Sequence, residues 1–267
     1  MLITRLYGGL GNQIFQWAAG QSIADRHNTQ CLFDLSHFGG EVSTEERIEK
    51  HGNQEGPTPW GLELNKLDLE LKFVQGNTLG LPRVSDNHVY KPLGDNLLLD
   101  GYWQSEKYFL YNEENIRSKL RMGDQVRDDI HRIYPFLKDE TVSLHVRRGD
   151  YVRLQHAHPC QTLEYYDVAL DIVGGKKANI LVFSDDTEWC RQNFKYDNIY
   201  FAEGQSNIID MYTMSLCSNH IMSNSTFGWW GSWLNESKDK KIVAPKNWFG
   251  NSSYNAEDII PSKWIKL

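Results

Sequence analysis

The chain has 267 residues, 40% apolar and 24% charged, an ordinary globular composition with enough apolar material for one large domain or two modest ones. A formal net charge of −7 excludes a non-specific nucleic-acid binder, whose affinity comes from an excess of Lys and Arg set against phosphates. Met1 to Leu6 has neither the basic start nor the apolar core of a signal peptide, and no stretch approaches the about 18 apolar residues of a membrane span, so a soluble cytoplasmic protein is expected.

Leu2 to Leu6 is a short apolar run that ends at Gly8-Gly9-Leu10-Gly11, after which Asn12 is placed to cap a helix carrying Ile14, Phe15, Trp17, Ala18 and Ala19. A second apolar run, Cys31-Leu32-Phe33, stops at Asp34 and completes a βαβ opening. Gly9, Gly11 and Asp34 imitate a dinucleotide fingerprint. However, its third small residue is replaced by Ile14, and Asn12 and Gln13 put polar side chains where the turn should be bare, which argues against NAD. The Gly9, Gly11, Asn12 and Gln13 segment is read instead as a glycine loop that brings backbone N–H groups and two amides to the mouth of a cleft. Residues 39 to 61 are polar, with Glu45, Glu46, Glu49 and Lys50 beside several Gly and Pro, and are expected to be a loop.

Leu97-Leu98-Leu99 reads as a buried strand leaving through Asp100-Gly101-Tyr102-Trp103-Gln104-Ser105, followed by a helix to about Leu120. A boundary near 125 divides the chain into domains 1–125 and 126–267. Beyond it, strands are expected at 141–146, 179–183, 198–201, 219–222 and 241–244, with helices at 163–173 and 206–217 between them. That alternation predicts a mostly parallel sheet covered on both faces. Cys31, Cys160, Cys190 and Cys217 are scattered without a C-x-x-C pair and read as reduced, mostly buried thiols. Nine Trp and thirteen Tyr supply rings suited to the apolar faces of sugars, although most of them fill cores.

Ligands of open α/β sheets collect outside the carboxyl ends of the strands, so the residues after each strand carry the functional reading. Val142-Ser143-Leu144 leads into His145-Val146-Arg147-Arg148-Gly149-Asp150-Tyr151, where two guanidiniums, a carboxylate and a glycine leave the sheet together. A guanidinium offers a pyrophosphate a planar fork of donors and stays charged at any working pH. A surface ion pair between Arg147 and Asp150 is the plainer alternative. Ile180 to Phe183 leads into Ser184-Asp185-Asp186-Thr187 ahead of a helix, small polar groups that either cap it or bind a ribose or phosphate. The Asp185-Asp186 pair also admits Mg²⁺ or Mn²⁺ held against a diphosphate. His220 to Met222 leads into Ser223-Asn224-Ser225-Thr226-Phe227-Gly228-Trp229-Trp230, a second candidate phosphate cradle. Asp210, early in its helix, either complements the helix dipole or accepts hydrogen bonds from a guanine edge.

Taken in order, Gly8 to Gln16, Gly101-Tyr102-Trp103-Gln104-Ser105, His145 to Tyr151, Phe183-Ser184-Asp185-Asp186 and Ser223 to Trp230 resemble the family 11 glycosyltransferases, the α-1,2-fucosyltransferases. Asp210-Met211-Tyr212 and Ala244 to Phe249 are similar to further family positions. The resemblance implies a GT-B-like α/β fold, two Rossmann-like domains with mostly parallel sheets facing across a cleft, the first on the acceptor side and the second holding GDP-fucose. It implies inverting transfer of L-fucose to the 2-hydroxyl of a galactoside, with no cofactor and no metal. Its pyrophosphate arginine falls on Arg147, its hydroxyl-bearing nucleotide site on Ser225 and Thr226 beside Phe227, and its guanine-binding acid on Asp210. With Arg148, Ser184, Asp185 and Asn224 these make up the expected donor site.

Arg147, helped by Arg148 and the helix start at Ser225 and Thr226, is expected to stabilise the departing GDP. Asp150 is the first candidate for general base and His145 the second, although Asp150 serves equally well to orient Arg147. The expected partners are GDP-fucose and a galactose-terminated oligosaccharide or lipid-linked glycan of surface-glycan or O-antigen synthesis, with no nucleic acid and at most peripheral contact with a membrane. One alternative is a carbohydrate-binding protein without catalysis, which leaves the arginines without a purpose. Another is a metal-dependent transferase using Asp185 and Asp186, which the arginines make redundant. Residues 39 to 95 are expected to shape acceptor choice, with Trp60, His88 and Tyr90 available for stacking.

Overall fold

Leu2–Arg5 forms strand β1 in the computed structural model, which describes residues 1–39, 43–51, 57–74, 78, 80–86, 96–251 and 256–267. The chain divides into two units, Met1–Leu120 and Arg121–Leu267. The expected cut at 125 would pass through the first turn of a helix that the second unit contains whole. His88 and Tyr90 lie outside the described residues.

In the first unit, Gly8 takes φ +74°, a left-handed turn that glycine adopts without steric cost. Helix α1 (Leu10–Arg26) follows with Gly9 at its N-cap. The cap lies three residues earlier than expected, at Gly9 and not Asn12, and Gly11, Asn12 and Gln13 lie in the first turn of α1 rather than in a loop. Ile14, Phe15, Trp17, Ala18 and Ala19 are buried as expected. Gly20 is the small residue that permits close packing: a Cβ there would collide with the Thr4 hydroxyl on β1 and stand 3.0 Å from Cys31 Sγ on β2 (Cys31–Asp34).

Gln13 corrects the expectation of an amide at a cleft mouth. Its side chain is fully buried, Nε2 donates to the carbonyls of Gly8 and Gly61, each at 2.7 Å, and Oε1 accepts from the N–H groups of Glu63 (2.9 Å) and Leu64 (3.0 Å). The amide is a strut that fastens residues 61–64 to the start of α1. Residues 39–61 are likewise not all loop, because Thr44–His51 forms helix α2. Ser43 Oγ accepts from Glu46 N–H at 3.0 Å, acids fill the first turn, and Lys50 and His51 fill the last, which suits the helix dipole.

Strands β3 (Arg83–Val84) and β4 (Leu97–Leu99) complete a four-stranded sheet of order β2-β1-β4-β3, parallel throughout, and helix α3 (Glu113–Leu120) closes the unit. The chain exits β4 through Trp103, which holds φ +56° although its indole is only 1% exposed. That backbone costs about 1–3 kcal/mol. It persists because burying an indole returns roughly 4–6 kcal/mol.

The second unit opens with helix α4 (Asp124–Ile133) and then alternates β5 (Thr141–Val146), α5 (Leu163–Val173), β6 (Asn179–Ser184), α6 (Thr187–Asn193), β7 (Ile199–Phe201), α7 (Asn207–Ser215), β8 (Asn219–Ile221), α8 (Thr226–Trp233), β9 (Ile242–Ala244) and β10 (Ile265–Lys266). Its sheet has the order β10-β9-β8-β5-β6-β7 and is parallel throughout. All six residues of β5 are buried, as a central parallel strand requires, and Val142, Leu144, Ile180, Val182, Ile221 and Val243 form a core with Tyr166, Ala169 and Leu170 of α5. The chain runs from β5 outward through β6 and β7, then returns to β8 on the other side of β5. The exits of β5 and β8 therefore flank a topological switch point, the place where such sheets bind ligands. In the first sheet the exits of β1 and β4 hold the same position.

Replacing Gln13 by Ala strands two carbonyls and two N–H groups in the interior, and we expect a loss of about 2–4 kcal/mol in stability, read as a lower urea midpoint in tryptophan fluorescence. An unchanged midpoint would show that the strut is dispensable.

Candidate functional site

Directly after β5, Arg147 and Arg148 precede the short turn Gly149–Val152. Arg147 donates from Nη2 to Asp150 Oδ1 at 2.5 Å, pairs through Nη1 with Asp185 Oδ2 at 2.7 Å, and lies 5.2 Å from the centre of the Tyr151 ring. Burial alone would lower its pKa, but Asp185 and Asp150 outweigh that and raise it. Arg148 donates its backbone N–H to Asp185 Oδ1 at 2.8 Å and its Nε to Asp186 Oδ2 at 2.9 Å, with its guanidinium 3.9 Å above the Trp189 ring. Gly149 allows this approach, since a Cβ there would collide with the Asp185 carboxylate.

The carboxylates after β6 are thus engaged by the arginines after β5. Asp186 also caps α6, accepting from Trp189 N–H at 3.2 Å, and Ser184 Oγ accepts from Asp186 N–H at 3.0 Å. The segment caps its helix and neutralises the arginines with the same side chains. Two cations face three anions here, Asp150, Asp185 and Asp186. Among the described residues, no group of three or more His, Cys, Asp or Glu converges in a way that could hold a metal ion.

The exit of β8 lies alongside. Ser223 donates its N–H to the His145 carbonyl at 3.1 Å, and its Oγ is 2.9 Å from His145 Nδ1. The His145 ring is 5% exposed, and Gly228 sits so close that a Cβ there would be 2.7 Å from Nδ1. Burial, helped by the Arg147 charge, lowers its pKa to about 3. The geometry is that of a neutral brace between adjacent strand exits and not of a proton acceptor, which corrects the expectation placed on it. Asn224 is also buried: its Oδ1 accepts from Gln161 at 3.0 Å, its Nδ2 donates to the Trp248 carbonyl at 2.9 Å, and its carbonyl accepts from the Tyr151 hydroxyl at 3.1 Å. Its side chain fixes the turn, leaving the backbone to present the helix. Ser225 caps α8 by accepting from Phe227 N–H at 3.3 Å, while Thr226 and Phe227 are half-buried, Phe227 with its ring 5.8 Å from that of His145.

Asp210 stands apart from this cluster. Ser206 caps α7, accepting from Ile209 N–H at 3.4 Å, so the carboxyl is not needed as a cap. Its Oδ1 is buried without a hydrogen-bond partner, and burial raises its pKa to about 7. An acceptor left unsatisfied in a native interior calls for an explanation, and a ligand donor is one.

The structure therefore brings Arg147, Arg148, Asp150, Asp185, His145 and the β8 exit into one bonded network, and leaves Asp210 on the helix that packs against α8. Sequence reasoning gave no part to Tyr151, Gln161 and Trp189. Tyr151 was visible inside the arginine motif, and Trp189 falls three residues after the Asp186 cap, but Gln161 carried no signal. In the first unit Gln104 Nε2 donates to Asn12 Oδ1 at 2.8 Å, and Trp60 is half-buried with its indole Nε1 3.3 Å from where a Cβ on Gly9 would lie.

Residues 81–267 match the family model for glycosyl transferase family 11. The chain is 28% identical to the alpha-1,2-colitosyltransferase of Escherichia coli over 306 residues, covering 100% of this chain and 99% of that one. It is 30% identical to galactoside alpha-(1,2)-fucosyltransferase 1 of Ateles belzebuth over 164 residues, covering 54% of this chain and 45% of the relative. In fold it is similar to the NodZ alpha-1,6-fucosyltransferase crystal structure soaked with GDP-fucose, with a TM-score of 0.51 at 16% identity over 87% of this chain and 91% of that one. The architecture is accordingly GT-B-like, built on parallel α/β sheets. With that fold and a family match over well more than half its length, the chain belongs to glycosyl transferase family 11 and is a glycosyltransferase.

Proposed function

We propose that this chain transfers L-fucose from GDP-fucose to the 2-hydroxyl of a terminal galactoside, with inversion and without a divalent cation. The observation that carries the reading is that the Arg147 and Arg148 guanidiniums and the N-terminus of α8 occupy neighbouring strand exits at one switch point. Two permanent charges and a helix terminus of roughly +0.5 charge suit a diphosphate. The names of the colitosyl- and fucosyltransferase relatives support an α-1,2 linkage and a 6-deoxy sugar.

In this reading the acceptor O2 bonds to fucose C1 as the bond from C1 to the phosphate oxygen breaks, and GDP leaves with the electron pair. Arg147 stabilises the charge that builds on the departing phosphate. Arg147 is released for this task when the diphosphate replaces Asp185, 28% exposed, and Arg148 when it replaces Asp186, 34% exposed, while Asp150, at 7%, stays to hold the Arg147 guanidinium in plane. A carboxylate engaged by a guanidinium is a weak base, so Asp150 is assigned to positioning, and the acceptor proton leaves late, after positive charge has developed on the sugar, passing to an oxygen of the departing diphosphate. The Ser225 and Thr226 turn takes the phosphates, with Phe227 and Ser184 beside them, and the open oxygen of Asp210 accepts from the guanine edge. The first unit, Met1–Leu120, is assigned to the acceptor and the second, Arg121–Leu267, to the donor.

Colitose, the 3-deoxy counterpart of fucose, is the second reading for the donor sugar, because the colitosyltransferase likeness spans the full chain. Transfer assays with GDP-fucose and GDP-colitose side by side decide between them. Full activity is expected in EDTA, and Arg147→Ala is expected to weaken GDP binding by about a hundredfold in calorimetry. A wild-type chain that ignores GDP would end this proposal.

Asp150→Asn separates the two roles of that residue. As a positioning group its loss lowers GDP affinity and kcat together, by about tenfold or more each; a drop in kcat at unchanged GDP affinity would make it the base.

Asp210 sets a pH dependence. Its folded pKa of about 7 lies above the ordinary 3.8, so between pH 4 and pH 7 the folded chain keeps a proton that the unfolded chain has lost. Stability therefore falls as pH rises through that window. Asp210→Asn is expected to raise stability by about 1–3 kcal/mol at pH 8 and to leave it unchanged at pH 4, measured by urea denaturation at the two pH values, and to weaken GDP binding.

A further inference from the structure

The switch point of the first sheet, between the exits of β1 and β4, carries its own cluster. Tyr7 leaves β1 and Tyr102 leaves β4, with ring centres 4.9 Å apart at an interplanar angle of 76°, and His37, in the turn Ser36–Phe38 after β2, lies 5.3 Å from Tyr7. Tyr102 is 47% exposed, His37 is exposed and Tyr7 is half-buried. Their hydroxyls and imidazole nitrogens make no hydrogen bond to any described residue. Burial raises the pKa of both tyrosines and lowers that of His37, so the three rings are neutral and their polar tips are free to donate or accept.

The charges around them are balanced. Arg5 bonds Asp34 at 3.0 Å and Asp100 at 2.7 Å, and Arg83 stands 3.6 Å from the same Asp100 oxygen, while the Arg47 charge acts on His37 and the Asp86 charge on Tyr7, so three cations meet three anions. Next to Tyr102 is the left-handed Trp103, with a buried indole N–H that has no partner. Among the described residues the other two non-glycine residues with positive φ are Asn28 and Asn96, a type that tolerates it, whereas a bulky aromatic there is held against its preference. Strain of this kind gathers at sites that position a group for use. Here the tether is firm: Trp103 stacks edge-on with Tyr108 at 4.9 Å, and the Tyr108 hydroxyl bonds Asp86.

We propose that Tyr7, His37 and Tyr102 form the seat for the acceptor's terminal galactose, with the apolar face of the sugar on the Tyr102 ring and its hydroxyls bonded by the polar tips of the three side chains. The proposal rests on the galactoside reading above. Exposed aromatic rings with a few convergent polar tips bind an uncharged sugar, and a self-neutralised surround admits it without displacing an ion pair.

The test is saturation-transfer NMR on the full chain with lactose as probe and maltose as control, and GDP calorimetry on the same samples. The wild-type chain is expected to transfer saturation to the galactose protons and not to maltose. Tyr102→Ala is expected to reduce the effect about five- to tenfold, while Tyr102→Phe keeps the ring and most of the signal. Tyr7→Phe and His37→Ala each reduce it by a smaller factor, and GDP affinity stays unchanged in all four variants. No lactose signal from the wild type, an undiminished signal in Tyr102→Ala, or an equal response to maltose overturns the seat. GDP binding separates this outcome from the donor reading: a chain that binds GDP but loses nothing with Tyr102 refutes the seat alone. A chain whose lactose signal follows Tyr102 but which ignores GDP refutes the donor alone.

Discussion

A sheet whose strands all run the same way cannot be closed by hairpins, so each strand must be followed by a crossover that covers a face, and both faces end up dry. Both sheets of this protein obey that constraint. Polar chemistry is thereby driven off the strands and onto their exits, and among the exits two positions in each sheet lie where consecutive connections diverge. At the exits of β5 and β8 the chain places arginines and a capped helix. At the exits of β1 and β4 it places tyrosines and balanced ions. The difference in chemistry between the two units follows from which side chains occupy the same topological position.

The charge count at Arg147 and Arg148 explains a feature that would otherwise look contradictory. The proposed anion site carries more carboxylates than guanidiniums, yet two unpaired guanidiniums in so enclosed a place would be costly to desolvate. Carboxylates of graded exposure resolve this. In the proposed site Asp150, 7% exposed, remains as a fixed partner, and the more exposed Asp185 and Asp186 give way. A divalent metal recruited by the same two aspartates would first have to detach them from both arginines, leaving those charges unpaired.

The strands of the second unit were legible because burial on both faces writes them as continuous apolar runs, and the expected 141–146 coincides with β5. Helix α2 was missed because only Thr44 of it is buried, so it has no apolar stripe. Its capping signature, Ser43 followed by Glu46, was the available signal. The arginine motif announced itself because its members are adjacent in sequence. Gln13 and His145 did not reveal their roles, since a polar residue in a sequence says nothing of partners at positions 61–64 or 223. The Tyr7 and Tyr102 contact spans 95 positions and exists only because β1 and β4 are neighbours, a pairing that no local pattern specifies.

The buried titratable groups sort by the same logic of what surrounds them. His145 and His220 both sit near a pKa of 3, and each has a hydroxyl at its Nδ1, Ser223 at 2.9 Å and Ser143 at 2.8 Å. His220 has Asn235 at its other nitrogen as well. A neutral imidazole with partners is a finished structural part, and nothing is gained by ionising it. Asp210 is pushed the opposite way by the same burial, but its Oδ1 has no partner. Desolvation by itself therefore does not mark a functional group. What distinguishes Asp210 from His145 and His220 is the unfilled bond at its Oδ1, an acceptor that a ligand donor would fill.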